Sequence, residues 1–251
     1  MITSKLSVCM NGHCPTMDKR QLDHPVGLPP VFERKVVHQR QRFYWDCGVS
    51  CVLMVLPCDG YQHFLANFNE ICKEEDFNKS TWTIDLCYLL RRYNVKHLFC
   101  TVTMGVHPEY KGQAFYEKVI KNDEERVNKK FADAEEYGID IKKTSLTCSD
   151  LINHIFQFGP VILLTNASLL TCTNCKCRKF TNELLSCLPW PTAYAGHYIV
   201  LVGYNLLKQL FYYRNPTYKD RVCAIPFTSL NNARLSYGTD EDAILVYSSN
   251  L

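Results

Sequence analysis

The sequence contains no apolar run of membrane-spanning length, no block of charges of one sign and no glycine-rich loop of the kind that binds phosphate. Lys and Arg total 28 against 25 Asp and Glu, and the net charge of +3 is too small to indicate a nucleic-acid partner. The first seven residues lack the apolar segment of a secretory leader. We therefore expect no nucleic-acid or membrane partner and a cytoplasmic location, with the nucleus as a second compartment.

The composition supports a substantial core, because 47% of the 251 residues are hydrophobic and 12% are aromatic. Residues 1–35 carry scattered Gly and Pro without a sustained period, which predicts an irregular lead before a single domain at 36–251. Helical patterns dominate the first half and strand patterns the second, which is typical of α+β proteins. Helices are predicted at 47–57, 61–71, 83–90, 113–137, 149–159 and 227–236, with Thr83 and Ser149 as caps, and strands at 97–102, 161–164, 197–204, 210–214 and 243–247.

The chain has fourteen cysteines, which is many for its length. In a reducing compartment such residues are core thiols, metal ligands or nucleophiles. One group lies in a Cys- and Pro-bearing insert at 171–195, where a Cys-x2-Cys pair suits one side of a tetrahedral zinc site. Unligated loop thiols fit the same stretch equally well. The candidate ligands of a structural zinc ion are Cys172, Cys175, Cys177 and Cys187, and the sequence requires no other cofactor.

One cysteine, Cys47, stands at a turn-like Asp-Cys-Gly followed at once by an apolar helical stretch. A thiol in the first turn of a helix lies near unpaired backbone N–H groups and the positive end of the dipole, which favour thiolate. Asp46 is expected to cap this helix, while its charge opposes thiolate formation. Taken alone, Cys47 is also compatible with a buried structural thiol. Cys51, one turn later, is predicted to be core or a disulfide partner of Cys47.

A nucleophilic thiol needs a base, and the base needs a group that orients it. His197 opens a β-branched and aromatic run, and Asn215 ends the next strand before Pro216. If the two strands form a hairpin, these ends lie side by side, and Asn215 can hold the imidazole in the proton-accepting tautomer. Gln41 is the predicted second donor to an oxyanion, beside the Cys47 N–H.

Each of these three assignments has an alternative. His197 also fits an inert histidine at a strand end, and Asn215 fits a plain turn residue before proline. Gln39 is the other candidate for the inward-facing amide near the thiol.

The order Gln, Cys, His, Asn resembles papain-like thiol peptidases, and 150 residues separate Cys47 from His197 (197 − 47). The local Asp46-Cys47-Gly48 looks more like the C39 family, the bacteriocin-leader peptidases. A third resemblance extends over nearly the whole chain, to the guanylyl cyclase domain-containing protein family. The motifs that carry it are Tyr44-Trp45-Asp46-Cys47-Gly48, Trp82-Thr83-Ile84-Asp85-Leu86, Gly196-His197-Tyr198-Ile199-Val200-Leu201, Asn215-Pro216 and Ser236-Tyr237-Gly238-Thr239-Asp240-Glu241-Asp242.

This resemblance implies a papain-like, C39-peptidase-like α+β fold, with the nucleophile helix and other helices packed on a C-terminal antiparallel sheet. The first functional hypothesis is a cysteine peptidase or related acyl-transfer hydrolase acting on a protein or peptide through Cys47, His197, Asn215 and Gln41. Trp82 and Asp85 are proposed to contact the substrate.

The family name implies a second hypothesis, a guanylyl cyclase that forms cGMP from GTP with Mg²⁺ or Mn²⁺. The acidic run 240–242 is then a metal or substrate contact, although an acidic cap before the last strand explains it as well. A third hypothesis is a catalytically silent module that binds peptides.

Overall fold

The computed structural model describes residues 27–75, 77, 81–106, 114–173 and 194–248, which form a mixed α/β fold with helices on both faces of one sheet. Among these residues, no helix combines the length and apolar character needed to cross a bilayer. In chain order the elements are β1 Val31–Glu33, α1 Cys47–Leu53, α2 Cys58–Ala66, α3 Phe68–Glu74, α4 Thr83–Arg92, β2 His97–Thr101, α5 Ala114–Asp133, β3 Asp140–Lys143, α6 Cys148–Gln157, β4 Val161–Asn166, β5 Gly196–Asn205, β6 Leu210–Arg214, β7 Cys223–Pro226, α7 Phe227–Arg234 and β8 Ala243–Val246.

The sheet has the strand order β3-β2-β8-β4-β5-β6-β7. Every pairing is antiparallel except β2 with β3. Strand β5 is the longest, and β4 pairs with its residues 196–201 while β1 pairs with 203–205. The predicted helices packed on a largely antiparallel sheet are therefore present in outline.

Strand β5 is buried on both faces, which explains why its sequence is a continuous apolar run. Tyr198, Val200 and Val202 face the core layer that includes α1 and α4. Ile199 and Leu201 face the opposite layer, formed with α6 and α7. The strand thus holds the two halves of the core together.

The predicted irregular lead at 1–35 is wrong in its last part, because Val31–Glu33 form strand β1 on β5. Arg34 then donates from Nε to the carbonyl oxygen of Ile155 (2.6 Å) and from a terminal nitrogen to that of Phe156 (2.9 Å). A three-residue strand is too short to give a periodic signal, so its pairing with β5 decides its conformation. The folded domain therefore begins before residue 36.

Two predicted helix caps also differ from the structure. Helix α4 is capped at Trp82, whose N–H donates to the Asp85 carboxylate (2.9 Å), and Thr83 lies inside the helix. Helix α6 is capped at Thr147, which exchanges hydrogen bonds with Asp150. In both cases the acidic residue three positions after the cap decides where the helix begins.

The long helix predicted at 61–71 is two helices, α2 and α3, which meet at Asn67. Asn67 has φ −115°, outside the helical range, and its side-chain amide donates to the carbonyl oxygen of His63 (2.9 Å). This bond offers the backbone a local alternative to a continuous helix.

His154 on α6 is buried and lies with its Nε2 3.0 Å from the carbonyl oxygen of Val246. Burial lowers the pKa of His154 to about 4. In the unfolded chain a histidine has a pKa of about 6.5, so the unfolded state binds more protons between these two pKa values. The stability that neutral His154 contributes is therefore fully present above about pH 6.5. It is lost as the pH falls toward the pKa that His154 has in the folded protein.

We expect this histidine to reduce the free energy of unfolding by about 3 kcal/mol between pH 7 and pH 4. His154→Gln keeps an N–H donor but cannot titrate, so its stability should fall less over the same range. Urea unfolding of both proteins at a series of pH values measures the difference. Identical pH dependence in the two proteins would contradict the assignment.

Candidate active site

Cys47 is the first residue of α1 and is 8% exposed. The loop before it is held by Asp46, whose two carboxylate oxygens accept hydrogen bonds from the N–H groups of Arg42 and Phe43 (3.0 Å each). Asp46 occupies the N-cap position of α1 as expected, but its carboxylate makes no capping hydrogen bond to the helix and bonds backwards to the loop. The loop and the helix start consequently form one rigid unit around the thiol.

Helix α1 lies very close to β5 because residue 48 is glycine. A Cβ at Gly48 would lie 2.9 Å from the Leu86 side chain and 3.0 Å from the Tyr198 ring. A larger residue at this position would therefore require the Leu86 and Tyr198 side chains, or the helix itself, to shift. This close approach brings Cys47 against the backbone N–H of Tyr198, the residue directly after His197.

Burial raises the pKa of the Cys47 thiol, and this desolvation is the largest influence on it. Hydrogen bonding from the backbone of Tyr198 and Gly48 acts in the opposite direction, whereas the charge of Asp46 raises the pKa further. The expected shift toward thiolate at the helix start is therefore not the net effect. A thiol in this environment requires a base to become a nucleophile.

Strands β5 and β6 form the predicted hairpin, with Val200 opposite Arg214. His197 Nε2 and Asn215 Oδ1 are 2.9 Å apart. The same Oδ1 accepts the backbone N–H of Thr217 (3.0 Å). A backbone N–H can only donate, so this contact fixes the amide orientation of Asn215, and Nε2 of His197 must carry the proton. The Nδ1 atom is therefore the nitrogen that can accept one.

Gln41, rather than Gln39, joins this group. Its backbone N–H donates to the carbonyl oxygen of Pro216 (2.9 Å), and its Oε1 accepts the Thr217 hydroxyl (3.0 Å). One Nε2 hydrogen is bonded to the carbonyl oxygen of Phe43 (2.8 Å), which leaves the second hydrogen of the amide. Gln39 instead accepts the Tyr61 hydroxyl (2.8 Å).

The sequence reasoning missed Thr217, which bonds to both Asn215 and Gln41 and lies 3.5 Å from His197 Nε2. A signal for it existed in Asn-Pro-Thr, because an asparagine side chain commonly accepts the N–H two residues later. Asn215 also accepts the Tyr218 N–H through its own carbonyl (3.1 Å), so the turn role and the histidine contact coexist.

Asp85 does not line a cleft, and its predicted substrate contact is wrong. Its side chain is fully buried and pairs with Arg126 (2.5 Å) and Lys130 (2.9 Å) of α5. Trp82 is half-buried and donates from its indole nitrogen to Asp123 (3.2 Å). Both residues therefore fasten α4 to α5, and for Trp82 a substrate contact stays a prediction.

All three carboxylates of the acidic run before β8 accept hydrogen bonds from hydroxyl groups of the same chain. Asp240 accepts the Thr103 hydroxyl (2.8 Å), Glu241 accepts that of Ser145 and Asp242 accepts that of Thr83. Asp240 and Glu241 have φ of 47° and 54°, left-handed values that these contacts stabilise. The run is a strained connection between α7 and β8.

The remaining cysteine predictions have different outcomes. Cys51 is fully buried, and neither Cys51 nor Cys47 forms a disulfide, so Cys51 is a core thiol. Cys172 is half-buried, whereas Cys175, Cys177 and Cys187 lie outside the described residues. Within the described part of the chain, no group of three or more His, Cys, Asp and Glu could hold a metal ion.

Comparison with known proteins gives the family. A family model described as guanylylate cyclase matches residues 36–246. Guanylyl cyclase 1 of Arabidopsis thaliana is 33% identical over 229 residues, which cover 90% of this chain and 80% of that protein. The chain therefore belongs to the guanylylate cyclase family. Among solved structures, a C39-like peptidase from Bacillus anthracis is similar over 43% of this chain and half of its own length, with 20% identity and a TM-score of 0.29.

We expect Asp85→Ala to lower the free energy of unfolding by about 3 kcal/mol, because it leaves the charges of Arg126 and Lys130 without their buried partner. Denaturant unfolding measures the loss. The matched control is Asp133→Ala, which removes an exposed pair with Lys129 and should lower the free energy of unfolding far less. Equal stability of Asp85→Ala and the native protein would contradict the structural role.

Proposed function

We propose that this protein is a cysteine peptidase-type hydrolase that acts on a protein or peptide substrate. One observation carries the proposal: the Thr217 N–H and His197 share Asn215 Oδ1, which leaves Nδ1 of His197 as a base on the strand that contacts Cys47. The Thr217 N–H donates to Asn215 Oδ1 and so fixes which nitrogen of His197 carries the proton. A histidine that only ended a strand would not need a fixed tautomer. A papain-like, C39-type arrangement of the chain forms part of this proposal.

In the proposed reaction, Nδ1 of His197 takes the proton of Cys47, and the sulfur attacks the substrate carbonyl carbon. The second Nε2 hydrogen of Gln41 and the backbone N–H of Cys47 stabilise the oxyanion, each worth about 10²–10³ in rate. His197 returns the proton to the leaving amine. It then takes a proton from water as the water oxygen attacks the thioester carbon. When the carbon–sulfur bond breaks and the acid leaves, His197 returns this proton to the Cys47 sulfur. Asn215 keeps the ring orientation throughout.

The loop before Cys47 supports a peptide as substrate. Tyr44 is 82% exposed, and the exposed Phe43 ring stacks on Trp45 (5.7 Å between centroids). The bonds from Asp46 and Gln41 hold this loop, so the aromatic surface is preformed. A preformed aromatic surface binds an extended chain at low entropic cost.

The first test is site-resolved alkylation with iodoacetamide, read by peptide mapping. Cys58 is exposed and free, so the measurements use a Cys58→Ser background. We expect Cys47 to react at pH 7 despite its burial, and His197→Ala to slow this reaction by about 10²-fold, the lower range for a general base. Cys51→Ala is the matched control on the same helix and should leave the Cys47 rate unchanged.

Hydrolysis of a peptide ester library then separates an enzyme from a silent module. Activity should disappear in Cys47→Ala and persist in Cys51→Ala. A reactive Cys47 without any hydrolysis would support the silent peptide-binding module instead. Equal Cys47 labelling in the native protein and in His197→Ala would refute the thiol mechanism.

The family relationship favours a second candidate, a guanylyl cyclase that makes cGMP from GTP. Such chemistry uses divalent metal on carboxylates. The described residues do not fit a metal site on carboxylates, because Asp85 forms ion pairs with Arg126 and Lys130 and Asp242 accepts a hydrogen bond from Thr83. Ring closure of GTP is therefore the alternative with less support from the site.

A cGMP measurement on purified protein with GTP and Mg²⁺ or Mn²⁺ decides between the two candidates. We expect no cGMP above the level of a mock purification. Synthesis that survives Cys47→Ala and is lost in Asp240→Asn would instead favour the cyclase and assign the acidic run to it.

A further inference from the structure

A buried chain of hydroxyl and carboxyl groups lies directly behind the proposed nucleophile. The Thr83 hydroxyl, near the start of α4, is 2.9 Å from the Tyr198 hydroxyl and is also bonded to the Asp242 carboxyl group. Thr83 and Tyr198 are 3% and 5% exposed. These three groups come from a helix, from β5 and from the connection before β8.

Asp242 and Tyr198 lie in one row across the sheet, and Thr83 reaches both of them from α4. Leu164 pairs with Tyr198, and the Leu164 N–H donates to the carbonyl oxygen of Asp242 (3.0 Å). The other carboxyl oxygen of Asp242, Oδ1, is buried. Burial of this kind raises the pKa of Asp242 well above its ordinary value. A neutral Asp242 can serve as a donor as well as an acceptor.

Tyr198 connects this chain to the thiol. Its ring lies against Gly48, and its backbone N–H is the group of β5 that lowers the pKa of Cys47. A shift of β5 along its axis would move this N–H away from the sulfur. The hydroxyl anchor at the far end of the same side chain resists such a shift.

We propose that Thr83 and Asp242 are positioning residues, which anchor the Tyr198 hydroxyl and thereby hold the Tyr198 backbone N–H against the Cys47 sulfur. The inference rests on the proposed function, in which this sulfur is the nucleophile. The effect is indirect, because neither residue contacts Cys47 through any hydrogen bond in the structure. This positioning role explains why the polar groups of Thr83, Tyr198 and Asp242 lie in the core near the Cys47 thiol. Hydrocarbon side chains in their place would cost less free energy to bury.

The experiment measures the pH dependence of Cys47 alkylation by iodoacetamide in the Cys58→Ser background. In Tyr198→Phe we expect the midpoint of the rate profile to rise by up to about one pH unit, a three- to tenfold slower reaction at pH 7. Tyr204→Phe is the matched control, since Tyr204 is another buried tyrosine on β5 and its hydroxyl is unpartnered within the described structure. Its profile should equal that of the native protein.

A second pair of variants keeps the test valid if Tyr198→Phe does not fold. Thr83→Val should shift the profile in the same direction, and Thr83→Ser, which keeps the hydroxyl, should restore it. A reactive native Cys47 with the same profile in Tyr198→Phe and Thr83→Val would overturn this inference alone. An unreactive native Cys47 would overturn both the inference and the thiol mechanism.

Discussion

The double burial of strand β5 is the constraint on which the rest of this structure depends. With α1 and α4 on one face and α6 and α7 on the other, its residues 198–202 cannot change register without placing every side chain in the wrong core layer. The candidate site uses this rigidity, because His197 precedes the buried segment directly. The candidate base at the strand start is thus positioned by the packing of apolar side chains on both faces of β5.

The proposed site combines two opposing influences on one sulfur. A helix start favours negative charge, yet burial disfavours it, and for Cys47 burial is the larger influence. Such a thiol remains neutral until a base acts, which protects it from incidental oxidation. The fixed tautomer of His197 therefore matters more here than in a site where the thiolate forms unaided.

Much of this arrangement was predictable from the sequence, and the failures have identifiable causes. The hairpin and the neighbouring positions of His197 and Asn215 followed from strand patterns and a proline stop, both of which are local signals. The role of Asp85 was misjudged because its partners lie about forty residues away on α5, and no periodic pattern reports a pairing at that distance. Asp46 was misjudged because a carboxylate at a helix start can also bond back to the preceding loop. A tertiary contact decided the role of Asp85, and a local contact decided that of Asp46.

The short strand β1 determines where this protein can be truncated at its N-terminal end. It covers the part of β5 that β4 leaves unpaired, at Gly203, Tyr204 and Asn205. A fragment that starts at residue 36 would expose a row of unsatisfied backbone groups beside an apolar core, which is the usual template for intermolecular strand addition. Such a fragment would keep every candidate catalytic residue and still self-associate. A fragment for expression should therefore begin before Val31, upstream of the first candidate catalytic residue, Gln41.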